Sequence, residues 1–240
     1  MSRGVYVALS GAVAQEHALE TTATNLANAA TPGFQRLRPV FREVLAGASK
    51  KENLRYAEVS ATAVDGSRGA VRTTGRLLDV ALPEGQYLAV TTPGGERYTR
   101  AGSLAMGADG ILRTTSGTAL VREDGKPVRL SPAAGEASIQ PDGSVVQNGE
   151  VLAKLKIVRA AEGTTFRHEG AGLLTSAGPP PVPTTTTLDV GALEDSNSTA
   201  IVAMTELVTA SRTFEAFQRM LDTFGECDRK VLTTTPGATE

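Results

Sequence analysis

Residues 203–231 decide the fold, and they read AMTELVTASRTFEAFQRMLDTFGECDRKV. Steps of four and three residues connect positions that are apolar with one exception: Ala203, Leu207, Ala210, Phe214, Phe217, Leu221, Phe224, Asp228 and Val231. Residues at this spacing form one narrow stripe on a helix, and such a stripe packs against a partner helix. The pattern predicts a long assembly helix in the C-terminal segment.

The same spacing occurs near the N-terminus. It connects Val5, Leu9, Ala12, Glu16, Leu19, Ala23 and Leu26, of which only Glu16 is polar. This helix is predicted to end before Thr31-Pro32-Gly33, because a proline disfavours helical conformation in the preceding residue and Pro-Gly suits a type II turn. We predict that the two terminal helices pair as a coiled coil. The seam residues predicted to carry assembly are Leu9, Leu19, Leu26, Leu207, Phe214, Phe217, Leu221 and Phe224.

The sequence between the helices has a β pattern. Short apolar runs, such as 78–82 and 154–158, alternate with Asp-Gly and Asn-Gly pairs, which favour tight hairpin turns. No helical periodicity interrupts residues 71–178, and this argues against an α/β enzyme fold. The sequence therefore predicts a mixed fold with an all-β central domain, a small antiparallel barrel or sandwich, flanked by long helices. The predicted segments are 1–36 (assembly helix and turn), 37–70 (extended linker), 71–190 (central β domain) and 191–240 (assembly helix).

Composition excludes several classes of function. The formal net charge is −2, which gives no reason to expect nucleic acid as a partner, and no apolar run is long enough for stable membrane insertion. The single cysteine, Cys227, and the two histidines, His17 and His168, lack the spacing of a metal site or of a nucleophile and its base. We therefore predict no catalytic residues, no metal, no cofactor and no enzyme activity.

Two other arrangements fit the same patterns. The helices could fold against each other and the β domain within one chain, which would need no second subunit. The chain could also be a soluble secreted β domain that binds a ligand, with incidental helical arms. Matching stripes at both chain ends, outside the β region, favour assembly with copies of the chain, because exposed apolar stripes seek a partner surface.

Motifs along the whole chain resemble those of the bacterial flagellar rod, hook and axial proteins. The N-terminal motifs are Ala8–Ala12, Asn25-Leu26-Ala27-Asn28 and Thr31-Pro32-Gly33-Phe34; the middle ones are Thr74–Leu82, with Gly75 and Asp79, and Tyr98–Leu104; the C-terminal ones are Gly191–Asn197 and Arg212–Glu215. They follow one another in the order that the family has.

This resemblance implies a structural subunit of the flagellar basal-body rod, the periplasm-spanning shaft that transmits torque. It implies assembly with copies of itself and with other rod subunits, and export by the flagellar type III apparatus without a cleaved signal peptide. The length and residues 3–8 look most like a proximal rod subunit, with a distal rod or hook-type subunit as the alternative. The Pro- and Thr-rich segment 179–187 departs from the family pattern.

Overall fold

The computed structural model describes residues 3–46 and 54–234. Two helices, α1 (Arg3–Ala27) and α2 (Ala200–Thr234), lie at the two ends of this part of the chain. The strands in chain order are β1 (Leu37–Ala46), β2 (Leu54–Val64), β3 (Val71–Thr73), β4 (Val80–Ala81), β5 (Gln86–Thr92), β6 (Gly95–Thr99), β7 (Leu104–Met106), β8 (Leu112–Thr114), β9 (Ala119–Leu120), β10 (Ala137–Ile139), β11 (Ser144–Gln147), β12 (Glu150–Lys154), β13 (Ile157–Arg159), β14 (Thr165–Gly170), β15 (Leu173–Ala177), β16 (Val182–Pro183), β17 (Asp189–Val190) and β18 (Ala192–Glu194).

The described residues form two compact units. A helical unit takes residues up to 26, residues 37–46 and 54–62, and residues from 201 onward. A β unit takes residues 27–36 and 63–200. The four segments predicted from the sequence are thus grouped differently in space: the turn after α1 belongs to the β unit, and most of the predicted linker belongs to the helical unit.

In the helical unit, β1 and β2 pair with each other as a two-stranded sheet within the segment predicted to be an extended linker. The side chain of Asn25 connects α1 to this sheet. Its Nδ2 donates to the carbonyl oxygen of Leu37, and its Oδ1 accepts from the Leu37 amide, both at 2.8 Å. Because Asn25 is 2% exposed, losing its amide would leave two buried backbone groups unpaired.

The β unit is built around β5. Its side chains alternate between two cores: Leu88 and Val90 belong to one apolar cluster, while Tyr87 and Ala89 belong to the other. Successive residues of a strand point to opposite faces, so β5 is a central strand covered on both sides. The nine-stranded sheet runs in the order β14-β15-β6-β5-β9-β8-β7, with β13 pairing β5 and β16.

The fold class predicted from the sequence is confirmed in its coarse form, because a β-rich domain lies between an N-terminal and a C-terminal helix. The barrel alternative is wrong, since the large sheet ends at β14 on one side and β7 on the other without closing. The predicted hairpin turns do form. Asn148 and Gly149, between β11 and β12, have φ values of 52° and 81°, as a type I′ turn requires. Neither helix, over its described residues, is long and apolar enough to cross a membrane.

Candidate assembly surface and its supporting junction

The two helices of the helical unit lie against each other in opposite directions. A β-carbon on Gly4 would lie 2.9 Å from Cζ of Phe224, and one on Gly11 would lie 2.8 Å from Cζ of Phe217. Seven residues forward along α1 therefore correspond to seven residues backward along α2. The absence of a β-carbon at Gly4 and Gly11 is what lets the two rings reach the backbone of α1.

The face of α1 that is buried in this unit consists of small and polar residues. Its members are at least half-buried and again follow steps of four and three: Gly4, Ala8, Gly11, Gln15, Ala18, Thr22 and Asn25. This stripe lies one residue before the predicted one. Leu9 is 48% exposed, while Leu19 and Leu26 are half-buried. Of these three, Leu9 therefore lies away from α2, and a role of Leu9, Leu19 and Leu26 in assembly stays a prediction.

The corresponding face of α2 lies where the heptad pattern placed it. Ala203 is buried, and the next six positions are half-buried: Leu207, Ala210, Phe214, Phe217, Leu221 and Phe224. Large side chains on α2 thus oppose small ones on α1, and their rings reach the α1 backbone. The side chains of Asp228 and Val231, the last two predicted positions, lie outside the described part of the structure.

In the β unit, the turn that follows α1 is held by the chain segment that precedes α2. The amide of Gly33 donates to the carbonyl oxygen of Glu194 at 2.8 Å. Phe34 is 2% exposed, and its ring meets that of His168 edge-on, with 5.6 Å between the ring centroids. Asn28, Thr31 and Pro32 are half-buried in the same turn.

Asn197 fastens this turn to a third segment. Its Oδ1 accepts from the Arg36 amide at 2.6 Å, and its Nδ2 donates to the carbonyl oxygens of Asp65 and Ser67 at 3.0 Å. The Asn-containing motif near the C-terminus therefore joins the turn after α1 to the chain that follows β2. An asparagine suits this position because its side-chain amide offers one acceptor and two donors, which these three bonds use.

Sequence reasoning missed the largest buried polar group of the β unit. Arg100 is 1% exposed and forms an ion pair with Glu194, which is 3% exposed. The other guanidinium donors go to the carbonyl oxygens of Leu82, Pro83 and Gln86 at 2.7–3.1 Å. All five N–H groups of the guanidinium are thereby used. Local sequence patterns do not reveal this ion pair, because Arg100 and Glu194 are 94 residues apart in the chain.

Gly75 and Asp79, predicted as motif residues, lie beside the antiparallel pair formed by β4 and β17. The buried carboxylate of Asp79 accepts from the Thr74 hydroxyl at 2.8 Å, and its backbone carbonyl accepts from the Gly191 amide at 2.8 Å. Gly75 is exposed, has a φ of 75°, and donates its amide to the Gly191 carbonyl at 3.0 Å. These contacts are structural, and they hold the two family motifs together.

Three segments of the chain match models of known protein families. Residues 5–35 match the family model described as flagella basal body rod protein, residues 84–147 the flagellar hook protein FlgE/F/G D1 domain, and residues 190–234 the flagellar basal body rod FlgEFG protein C-terminal model. The flagellar basal-body rod protein FlgF of Rhizobium meliloti is 33% identical over 97% of this chain and 98% of its own length. The chain belongs to the flagellar basal-body rod protein family.

Other rod proteins are similar over comparable lengths. FlgF of Escherichia coli is 31% identical over 92% of this chain and 93% of its own length. FlgG of Bacillus subtilis is 27% identical over 94% of this chain and 96% of its own length. Members of the rod protein family are structural proteins, so this chain is not an enzyme.

His168, whose ring packs against Phe34, has a pKa below the ordinary histidine value. Its Nδ1 accepts from the Gly170 amide at 3.2 Å, and its Nε2 is buried without a hydrogen-bond partner among the described residues. Burial lowers the pKa of His168, because desolvation disfavours the charged imidazolium. Protonation would also turn Nδ1 from an acceptor into a donor that faces an N–H group.

The lowered pKa of His168 predicts that the stability of the protein depends on pH. Below the ordinary histidine pKa of about 6.5, the unfolded state binds a proton at His168 that the folded state does not bind. The free energy of unfolding should therefore fall as pH falls from 6.5 towards the lowered pKa. In a His168→Asn variant, where the amide oxygen can still accept from Gly170, this part of the decline should disappear. Urea unfolding at pH 7.5 and 5.5 measures it, and an equal decline in both proteins would contradict the prediction.

Proposed function

We propose that the chain is a rod subunit whose two terminal helices pair as a coiled coil and assemble side by side with those of neighbouring subunits. The name shared by its relatives, flagellar basal-body rod protein, supports a structural role in the basal body. The assembled helices form the shaft that crosses the periplasm and transmits torque, without a chemical step. The neighbours are copies of the chain and other rod subunits.

A proximal position in the rod is preferred, because the FlgF relative at 33% identity is more similar than the FlgG relative at 27%. A distal position is the alternative. Export through the flagellar type III apparatus without signal cleavage belongs to the same proposal and follows from the family resemblance.

One observation carries the proposal: each helix has exposed apolar residues on the face turned away from the other. Leu9 and Val13 of α1 are 48% and 45% exposed, and Ile201 of α2 is 81% exposed. A helix that is buried on one side only normally has charged and polar residues on the other side. The outer apolar residues therefore suit burial by a neighbouring subunit.

Replacing Phe217 with Asp tests the proposal. The ring of Phe217 lies against Gly11, so the variant removes the contact and puts a carboxylate between the helices. We expect a loss of about 3 kcal/mol from the helix pair, cells without complete rods, and no swimming. Soft-agar motility and electron microscopy of basal bodies measure the outcome, and circular dichroism of the purified chain checks that the β unit stays folded.

Gln218→Asp is the matched control, because it adds the same charge at the next position, where the side chain is exposed. This variant should build rods and swim. Normal rods in a Phe217→Asp strain would refute assembly through the helix pair, as would an equal defect in both strains.

A further inference from the structure

The face of α1 opposite the Gly4 and Gly11 stripe is divided along its length. In its first half it exposes Tyr6, Leu9 and Val13, which follow steps of three and four and lie on one side of the helix. Beyond them the exposed residues at the same face are Glu16, His17 and Glu20, followed by Ala23 and Ala27. The outer face of α1 is therefore apolar near its start and charged from Glu16 to Glu20.

The outer face of α2 has the same division. Near its start it exposes Ile201, Met204 and Val208, at 81%, 54% and 51%. Beyond these, the outward positions are charged and exposed: Arg212, Glu215, Arg219, Asp222 and Glu226. We call the first set the α2 stripe, and Tyr6, Leu9 and Val13 the α1 stripe.

Antiparallel packing places the two stripes at opposite ends of the helix pair. Gly11 is level with Phe217, so Leu9 is level with Arg219 and Val13 with Glu215. The stripes also lie on opposite sides of the pair, because each faces away from the partner helix. One chain therefore presents an apolar surface on one side at one end, and another on the other side at the other end.

We propose that a second copy of the chain buries these stripes, with the α1 stripe of one copy against the α2 stripe of the next, displaced along the helix axis. Leu9 must move from the level of Arg219 to that of Met204, about 15 residues, which is about 22 Å at 1.5 Å per residue. The inference rests on the proposed function and specifies the register of its lateral contact.

The charged residues on the outer face of α2 favour the displaced register over one in which the two copies are level. Without displacement, Leu9 and Val13 of one copy would face Arg219 and Glu215 of the next, and burying those charges against apolar groups is costly. Displacement removes both mismatches. It also brings Glu16 level with Asn197, just before the start of the neighbouring α2, where the helix dipole favours an acidic group.

A contact between two different surfaces of the same chain is heterologous, and it repeats from copy to copy instead of closing as a dimer. This is the reason for choosing a second copy as the occupant. Each chain has one stripe of each kind, so every added copy again leaves one of each uncovered.

Disulfide cross-linking of the full-length chain tests the register. In a Cys227→Ser background, Leu9→Cys combined with Met204→Cys should give a ladder of oligomers when concentrated protein is oxidised and run on a non-reducing gel. Leu9→Cys combined with Arg219→Cys reports the level register and should give at least tenfold less. Each single-cysteine variant should stay monomeric, and circular dichroism confirms folding before oxidation.

The other outcomes overturn the inference in distinguishable ways. A ladder from the Leu9 and Arg219 pair would refute the displacement while leaving lateral helix assembly, and so the proposed function, intact. Dimers from Leu9→Cys alone would mean that α1 stripes meet each other, which excludes the heterologous contact. If no pair cross-links although a Phe217→Asp strain lacks rods, the stripes are not the lateral contact. If that strain also builds normal rods, the proposed function falls as well.

Discussion

Replacing Glu194 with Gln should lower the free energy of unfolding of the β unit by about 3–5 kcal/mol. The guanidinium of Arg100 would stay buried at 1% exposure with its counter-charge gone. The new amide would also turn an N–H group towards Arg100 or the Gly69 amide, which now donates to Glu194 Oε1 at 3.0 Å. Urea unfolding followed by circular dichroism measures the loss.

Asp195→Asn is the matched control. Asp195 is the next residue and also pairs with an arginine, Arg72, at 2.9 Å, but both side chains are about half exposed. An exposed pair of this kind contributes about 0–1 kcal/mol. A similar small loss in both variants would contradict the prediction, because it would mean that the Arg100 charge finds solvent when its partner is removed.

The double variant Arg100→Met with Glu194→Gln separates charge from hydrogen bonding. If the uncompensated charge caused the whole loss, removing both charges would restore stability. Arg100 also donates to the carbonyl oxygens of Leu82, Pro83 and Gln86, and these would be left buried and unpaired. We therefore expect partial recovery only, and the missing part measures how strongly Arg100 holds the loop between β4 and β5.

The parts of the fold that depend on local sequence were predictable. The heptad pattern on α2 identified the buried face from Ala203 to Phe224, because seven large or apolar residues recur there at helical spacing. Asn148-Gly149 predicted a tight hairpin, since few residues tolerate two successive positive φ angles. Whether the sheet closes into a barrel depends on pairings between distant strands, and the turn signals carry no information about them.

The stripe of α1 that contains Gly4 and Gly11 lies one residue before the stripe predicted from the sequence, and the reason is physical. Hydrophobic periodicity gives weight to Leu9, Leu19 and Leu26 and none to Gly4 and Gly11. A close helix contact selects small residues where the partner contributes large ones, and here Phe217 and Phe224 fill the space. Leu9 is then left exposed to other surfaces. Glycines at a spacing of seven were the signal that could have located the stripe.

The junction in the β unit was missed in part because its members are far apart in sequence. The motif residues Gly33 and Asn197 were recognised by resemblance, but their contacts with Glu194 and Arg36 appear only when the chain is folded. A single sequence shows that an arginine and a glutamate exist, and it gives no sign that these two are buried together.

Gly102→Ala should cost the β unit about 3 kcal/mol, although it adds a single methyl group. A β-carbon on the buried Gly102 would overlap the backbone carbonyl oxygen of Val80 and lie 3.3 Å from its Cγ2. A flexible side chain could move aside, but a carbonyl within paired β4 cannot. Relief requires the two segments to separate, which breaks the hydrogen bond from the Val80 amide to the Gly102 carbonyl, 3.0 Å long.

Gly66→Ala is the control for this substitution, because the nearest atom to its added carbon is the Tyr87 hydroxyl at 3.9 Å. It should change the free energy of unfolding by less than about 0.5 kcal/mol. Urea midpoints of the two variants and the parent chain decide the matter. Equal midpoints would mean that β4 can leave the Gly102 segment without cost, and the Tyr98–Leu104 motif would then need another explanation. Unequal ones would identify close backbone packing as the reason for the glycine in that motif.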